Sequence, residues 1–389
     1  MLHLFGGACI LRGAPRSEFQ RCFLRHLLER SRFKITDGMG KALGILGVVA
    51  ISLVKTASVQ ASPIQVYGVW HCGSDLCSWA TVRDMIDFDS KNHWLIDRGD
   101  GTPSVNLVVL SFVNPLKLLN LTNDSQTIDG IPAGMTPEIV SYFVRRQIRV
   151  MLSIGGLTYI KDWDKALKTN PKQLGVNAAR AAQRLGVGME IDYENNRRPN
   201  LSGLQEFIAA YRSVLSYDAT AKNPAARLTI DLAVDDRYLV PLTQYASANW
   251  LTITHQVLDY ANAMVPFQQL SASGLEKGWD EHIWGKPPIP PLAPAKFTGS
   301  LYIATRGEVS PECNRFSHSL EDATGSFVQT VEPRGSGKTN GMLGYMFWAA
   351  ECSGSKSVCT TPPNTCEGGV GMGAHMYGIP LPMPSLRQD

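Results

Sequence analysis

The chain has 389 residues, 44% of them apolar and 18% charged, with a formal net charge of +3. That length admits two or three average domains or one large barrel, with ample material for a core. The near-neutral balance excludes a general electrostatic affinity for nucleic acid and suits an uncharged substrate.

The first 38 residues carry Arg12, Arg16, Arg21, Arg25, Arg30 and Arg32 and are a doubtful leader. From Met39 the chain reads "MGKALGILGVVAISLVKTASVQASP". Lys41, an apolar run to Val54 and small residues ending at Ala61 have the layout of a secretory signal over 39–61. The apolar run is too short to span a membrane. The alternative is an uncleaved amphipathic or membrane-anchoring segment. Cys9 and Cys22 lie in the leader; Cys72, Cys77, Cys313, Cys352, Cys359 and Cys366 follow it. An even number in an exported chain argues for disulfides, one closing a small loop at 72–77 and others stapling the C-terminal region. "HCGSDLC" (71–77) has a second reading as a metal site through His71, Cys72, Asp75 and Cys77.

Beyond Ala61, β-branched apolar runs alternate with helical stretches. The runs are "IQVYGVW" (64–70), "VNLVVLSFVN" (105–114), "QIRVMLSIGG" (147–156) and "GVGMEIDYE" (186–194). "RLTIDLAV" (227–234), "YANAMVPF" (260–267), "FTGSLYIA" (297–304) and "GMLGYMFWAA" (341–350) follow. Near-continuous apolarity fits strands covered on both faces, and the count fits a (β/α)8 TIM barrel over 62–366. Helices are expected at 136–147, entered through Pro137, and at 172–186, capped by Gly186. "GKPPIPPLAPAK" (285–296) reads as a rigid surface excursion, and 367–389 as a loop-like tail.

The fourth run places Glu190, Asp192 and Glu194 at alternate positions, so all three share one strand face, about 6.6 Å apart. In a barrel they point inward while Met189, Ile191 and Tyr193 pack against helices. Buried together, the acids cannot all ionise cheaply, and at least one keeps a proton near neutrality, as a general acid must. Glu194 stands where the strand meets its C-terminal loop, the end at which such barrels hold their sites. The competing reading is an amphipathic edge strand with a solvated acidic face.

"MEIDYE" resembles the fourth-strand signature of glycoside hydrolase family 18, D-G-x-D-x-D-x-E. "SIGG" (153–156) resembles its third-strand S-x-G-G, "SFVN" (111–114) its second strand, and "YMFWAA" (345–350) its eighth. The resemblance implies a chitinase-like TIM barrel in which Glu194 protonates the glycosidic oxygen. Asp192 would orient the substrate's N-acetyl group, which attacks its own anomeric carbon. It also implies a sugar floor at Trp348. The chain departs from the pattern at Val187 and at Glu190, a longer acid than the family's. It departs again in "AMVPF", where Pro266 and Phe267 replace a tyrosine that steadies the N-acetyl group. Tyr260, Gln268 and Tyr302 are the candidate substitutes.

Ser153, Gly155 and Gly156 are expected to shape the site floor, where glycine lets the backbone pass close. Trp279 and Trp284 are either further sugar platforms or packing residues. "GKTNG" (337–341) reads as a turn. Asn120, Asn123 and Asn200 begin N-x-S/T sequons. Asp231, Asp235, Asp236 and His255 supply an imidazole and carboxylates but no ligand spacing, so neither metal nor cofactor is expected. The expectation is an exported, monomeric glycosidase acting on β-1,4-linked N-acetylglucosamine glycans, without nucleic-acid or membrane partners. The alternative is a barrel of the same kind that binds these sugars with little or no hydrolysis.

Overall fold

The computed structural model describes residues 66–72, 84–97, 103, 105–233, 238–264, 272–302 and 342–348. The expected leader, signal segment and C-terminal cysteines lie outside the described residues. Eight parallel strands close into a barrel: β1 (Val66–Cys72), β2 (Leu107–Val113), β3 (Arg149–Gly155), β4 (Gly188–Asp192), β5 (Leu228–Leu232), β6 (Ala261–Ala263), β7 (Phe297–Tyr302) and β8 (Gly344–Trp348). Each pairs with its sequence neighbours, and β8 returns to β1 through Val66↔Gly344 to Val69↔Phe347. All eight apolar runs therefore form the strands expected of them. The sixth, three residues long, is shorter than its apolar run, of which 265–267 lie outside the described residues.

The helices between them are α1 (Met85–Ile96), α2 (Pro115–Asn120), α3 (Pro137–Val144), α4 (Ile160–Thr169), α5 (Pro171–Leu185), α6 (Leu201–Val214), α7 (Val240–Asn249) and α8 (Ala272–Trp284). Thr136 caps α3 by accepting from the Ile139 N–H, with Pro137 in the first turn, where a missing N–H costs nothing. Gly186 ends α5 in the left-handed region at φ 69°. α5 buries an alanine face (Ala178, Ala179, Ala181, Ala182) that brings it close to α6. None of the described helices is long and apolar enough to cross a membrane.

Alternation along each strand sorts side chains into two cores. Met189, Ile191 and Tyr193 join the outer core between strands and helices. Val66, Trp70, Leu107, Val109, Met151, Tyr260 and Met346 fill the lower barrel interior. Above them the interior turns polar, with Ser111, Ser153, Thr229, Asn262, Thr298 and Ser300 all buried. An amphipathic edge strand at 186–194 is excluded, since β4 is hydrogen-bonded on both sides to β3 and β5.

The proline-rich segment between β6 and β7 is less external than its composition suggests. Lys286 and Ile289 bridge each other, and Ile289 and Leu292 are buried. Trp279 belongs to α8, where it is fully buried against Tyr345 with ring centroids 5.6 Å apart. It is a packing residue, whereas Trp284 is 64% exposed. Asn200 is the N-cap of α6, accepting from Gly203 N, while Asn120 and Asn123 are exposed.

Candidate active site

Glu190 and Asp192 lie on β4, and Glu194 lies two residues beyond its end. In register, Glu190 stands beside Ser153 of β3 and Thr229 of β5, and Asp192 beside Gly155. All three acids are buried, and Glu194 is the most accessible at 8%. They climb from the barrel interior to the C-terminal ends of the strands, where barrel sites form.

Glu190 is held by donors from three other strands. Trp70 Nε1 donates to its Oε1 at 2.8 Å, Thr229 Oγ1 to its Oε2 at 3.4 Å, and Asn262 Nδ2 also to Oε2. Thr298 Oγ1 donates to Asn262 Oδ1 at 2.7 Å, which turns the amide so that its N–H2 faces Glu190. Burial pushes the Glu190 pKa up, and these donors oppose the rise by favouring the ionised form.

Asp192 is different. Burial raises its pKa well above the usual carboxylate range, and the adjacent charges of Glu194 and Glu190 add to the rise. Its Oδ1 is buried with no hydrogen-bond partner among the described residues. Such an atom, at the ligand end of a barrel, is an acceptor awaiting a donor. Glu194 is also raised by burial, while the Tyr238 hydroxyl, donating to its Oε2 at 2.8 Å, pulls the other way.

The backbone beneath these acids is fixed by close contacts. Trp163 Nε1 of α4 donates to the carbonyls of Ile154 at 3.1 Å and Asp192 at 3.0 Å, pinning the ends of β3 and β4 together. Gly156 N also donates to Asp192 O at 3.0 Å. This requires Gly155: it sits at φ +119°, and a Cβ there would lie 1.9 Å from Asp192 O and 2.1 Å from Trp163 Nε1. Gly156 sits at φ +81°, and a Cβ there would lie 3.0 Å from the Phe112 ring. The loop carrying Glu194 is tied down in turn. Tyr193 donates to Asp164, Asn195 Nδ2 reaches both Asp164 oxygens at 2.9 and 3.0 Å, and Asn196 Oδ1 accepts from Leu239 N at 2.6 Å.

The structure also brings in two groups that the sequence had not distinguished. Asp231 of β5 pairs in register with Asn262 and sits 2% exposed within hydrogen-bonding reach of Glu190. Burial and the nearby carboxylates raise its pKa well above the usual range. The alternation Thr229–Asp231 in "LTIDL" carries the signal, but a single inward acid on a strand is indistinguishable from a lone polar residue until the barrel closes. Tyr238 is the second, and no strand pattern marks a loop tyrosine.

Other expected residues fall elsewhere. Tyr260 does not join the carboxylates at the C-terminal ends of the strands. It precedes β6 in the apolar lower core, near the charges of Arg227 and Arg149, and its hydroxyl has no hydrogen-bond partner among the described residues. That position follows from parity: Tyr260 shares the inward face with Asn262 but lies one layer lower. Tyr302 and Trp348 are in register at the C-terminal ends of β7 and β8; their side chains, like Pro266, Phe267 and Gln268, lie outside the described residues. Val187 is buried in the outer core, so no carboxyl comes from that position. His71 Nε2 meets Asn92 Oδ1 at 2.5 Å, and Asp75 and Cys77 lie outside the described residues. No group of three or more His, Cys, Asp and Glu among the described residues is arranged to hold a metal ion.

No family model matches the chain, and no curated protein matches it in sequence. Among solved structures it is similar to a GH18 chitinase from Pseudoalteromonas aurantia, at 13% identity over 72% of this chain and 93% of that one, with a TM-score of 0.43. It is similar to a chitinase from Bacteroides thetaiotaomicron at 11% identity, covering 80% and 96%, with a TM-score of 0.44. A Group IV chitinase of Ostrinia furnacalis is similar at 12% identity, covering 81% and 98%, with a TM-score of 0.45. The likeness is one of barrel fold and is partial in superposition.

Proposed function

We propose that the chain is a glycosidase that cleaves β-1,4-linked N-acetylglucosamine glycans with retention, using the substrate's own N-acetyl group as nucleophile. One observation carries the reading: a vertical series of buried acids ends at the barrel mouth in Glu194, whose pKa burial raises, next to Asp192, whose Oδ1 has no partner among the described residues. Glu194, raised by burial, holds the proton that the leaving glycosidic oxygen needs. Asp192 Oδ1 can accept the N–H of the 2-acetamido group and so aim its carbonyl oxygen at the anomeric carbon. As the oxazolinium forms, its N–H becomes acidic and strengthens the bond to Asp192, which is transition-state stabilisation at a preorganised acceptor. Glu194, now ionised, then takes a proton from the water that opens the intermediate.

In this reading Trp348 is the sugar platform and Tyr302 the group that reaches the N-acetyl oxygen in place of a tyrosine at Pro266–Phe267. Export behind the 39–61 signal and disulfides in the C-terminal region belong to the same proposal. The Pro266–Phe267 pair favours a second reading, a barrel that binds such oligomers without cleaving them. One experiment separates them. The chain is given N-acetylglucosamine oligomers and the matching glucose oligomers, and the product anomer is followed by proton NMR. The β-anomer appearing first, from the acetamido substrate alone, is expected. Cleavage of both series refutes substrate assistance, and binding without cleavage selects the second reading.

A further inference from the structure

Asp231 has no part in the catalytic cycle above, yet it is buried among the acids that do. Its strand neighbour Asn262 and its strand-mate Thr229 both donate to Glu190 Oε2, so Asp231 belongs to the shell around that carboxylate. Its own Oδ1 receives no donor among the described residues. Two buried carboxyls in hydrogen-bonding contact share a proton, since like charges at that range cannot both ionise in low dielectric.

Building on the proposed glycosidase chemistry, we propose that Asp231 is a positioning residue that keeps its proton and donates it to Glu190. Glu190 is thereby fixed as the ionised member of the series, and Glu194 is left to carry the proton that moves. The assignment of roles follows from the donors. Glu190 already accepts from Trp70, Thr229 and Asn262, which favours its ionised form, whereas no donor among the described residues reaches Asp231 Oδ1. The direction of the pKa shifts agrees: Asp231 is pushed well above the usual range by burial and then by the Glu190 charge. Among the described residues, the titratable groups facing Asp231 are Glu190, Asp192 and Glu194 from β4 and its loop. β3 and β7 contribute the neutral Ser153, Thr298 and Ser300, and β6 contributes Asn262, with Tyr260 below.

The ionised Glu190 has a consequence for the acid catalyst. Its negative charge helps hold the proton on Asp192 and, acting directly at longer range, the proton on Glu194. Without the Asp231 donor, Glu190 takes up a proton itself, the local negative charge falls, and Glu194 loses its proton at lower pH.

Asp231→Asn keeps a neutral donor to Glu190; Asp231→Leu removes it. On a chromogenic N-acetylglucosamine oligomer, Asp231→Leu should lose kcat by roughly ten- to a hundredfold, as expected for a lost hydrogen bond to a charged group, with its alkaline limb moved to lower pH. Asp231→Asn should lose less and keep the wild-type limb. If both variants shift the limb down equally, Asp231 is ionised and the proposal fails; if neither shifts it, Asp231 is mere packing and the proposal fails. Infrared difference spectra of wild type minus Asp231→Asn at neutral pH give a readout independent of turnover. Loss of a protonated-carboxyl C=O band is expected, and loss of a carboxylate band overturns the proposal. If the wild type cleaves nothing but the protonated band is lost, the glycosidase reading falls while the Asp231 assignment stands.

Discussion

Tyr238→Phe removes one oxygen and tests the electrostatics at the acid catalyst. The hydroxyl donates to Glu194 Oε2 at 2.8 Å and lowers a pKa that burial raises. A hydrogen bond to an ionised group contributes about 1.5–3 kcal/mol, and one to a neutral group about 1 kcal/mol. Tyr238 can serve Glu194 in both states, so only the difference, roughly 0.5–2 kcal/mol, moves the pKa. Tyr238 is partly exposed, which places the effect in the lower half of that range. The expected shift is about half to one pKa unit upward. Without the phenol, Glu194 keeps its proton to higher pH, so the alkaline limb of kcat/KM moves up by that amount. Initial rates on a chromogenic oligomer across the neutral-to-alkaline range measure it. An alkaline limb that stays in place or moves down would refute the assignment of Glu194 as the acid whose proton governs the rate.

Gly155→Ala should lower stability by at least about 2 kcal/mol, because its Cβ would overlap Asp192 O and the Trp163 indole at a backbone angle that L residues avoid. Urea denaturation midpoints check this, and an unchanged midpoint would contradict the contact. Trp163→Phe removes the donor shared by the Ile154 and Asp192 carbonyls, and should lower kcat more than it raises KM, since it loosens the placement of Asp192. Asp192→Asn should raise thermal stability at neutral pH while lowering the rate. The folded-state pKa of Asp192 lies well above its ordinary 3.8, so the unfolded chain releases a proton that the folded chain retains. That contribution is fully present at low pH and is lost as pH rises above about 4, by up to about 1.4 kcal/mol per pH unit. The stability gain of the variant should therefore grow from acid to neutral pH, and a gain independent of pH would argue that Asp192 is not buried as an acid.

What could be read in the sequence was what one strand carries by itself. Eight apolar runs marked the barrel because strands covered on both faces need no alternation, and "MEIDYE" stood out because three acids at period two break that rule on one face only. The double glycine after Ser153 was legible as a close approach, though not as the seat of the Trp163 indole, which arrives from a helix interior. Asp231, Asn262 and Thr298 could not be found this way. Each is a single polar residue on its own strand, and their meeting at Glu190 depends on registers that closure of the sheet decides. The same limit explains Tyr260, whose place in the sixth run suggested a catalytic partner until parity and layer put it below the site. Trp279 read equally as a sugar platform or a packing residue until its helix, Ala272–Trp284, set it against Tyr345.

The most direct measurement is the rate of Glu194→Gln against wild type on a chromogenic N-acetylglucosamine oligomer. Glutamine keeps the shape and can still accept from Tyr238, but it has no proton to give the leaving oxygen. Positioned acid catalysis contributes about 10²–10⁴-fold, so kcat should fall at least a hundredfold with KM little changed. Equal rates for the two proteins would place the chemistry on another residue and contradict the account.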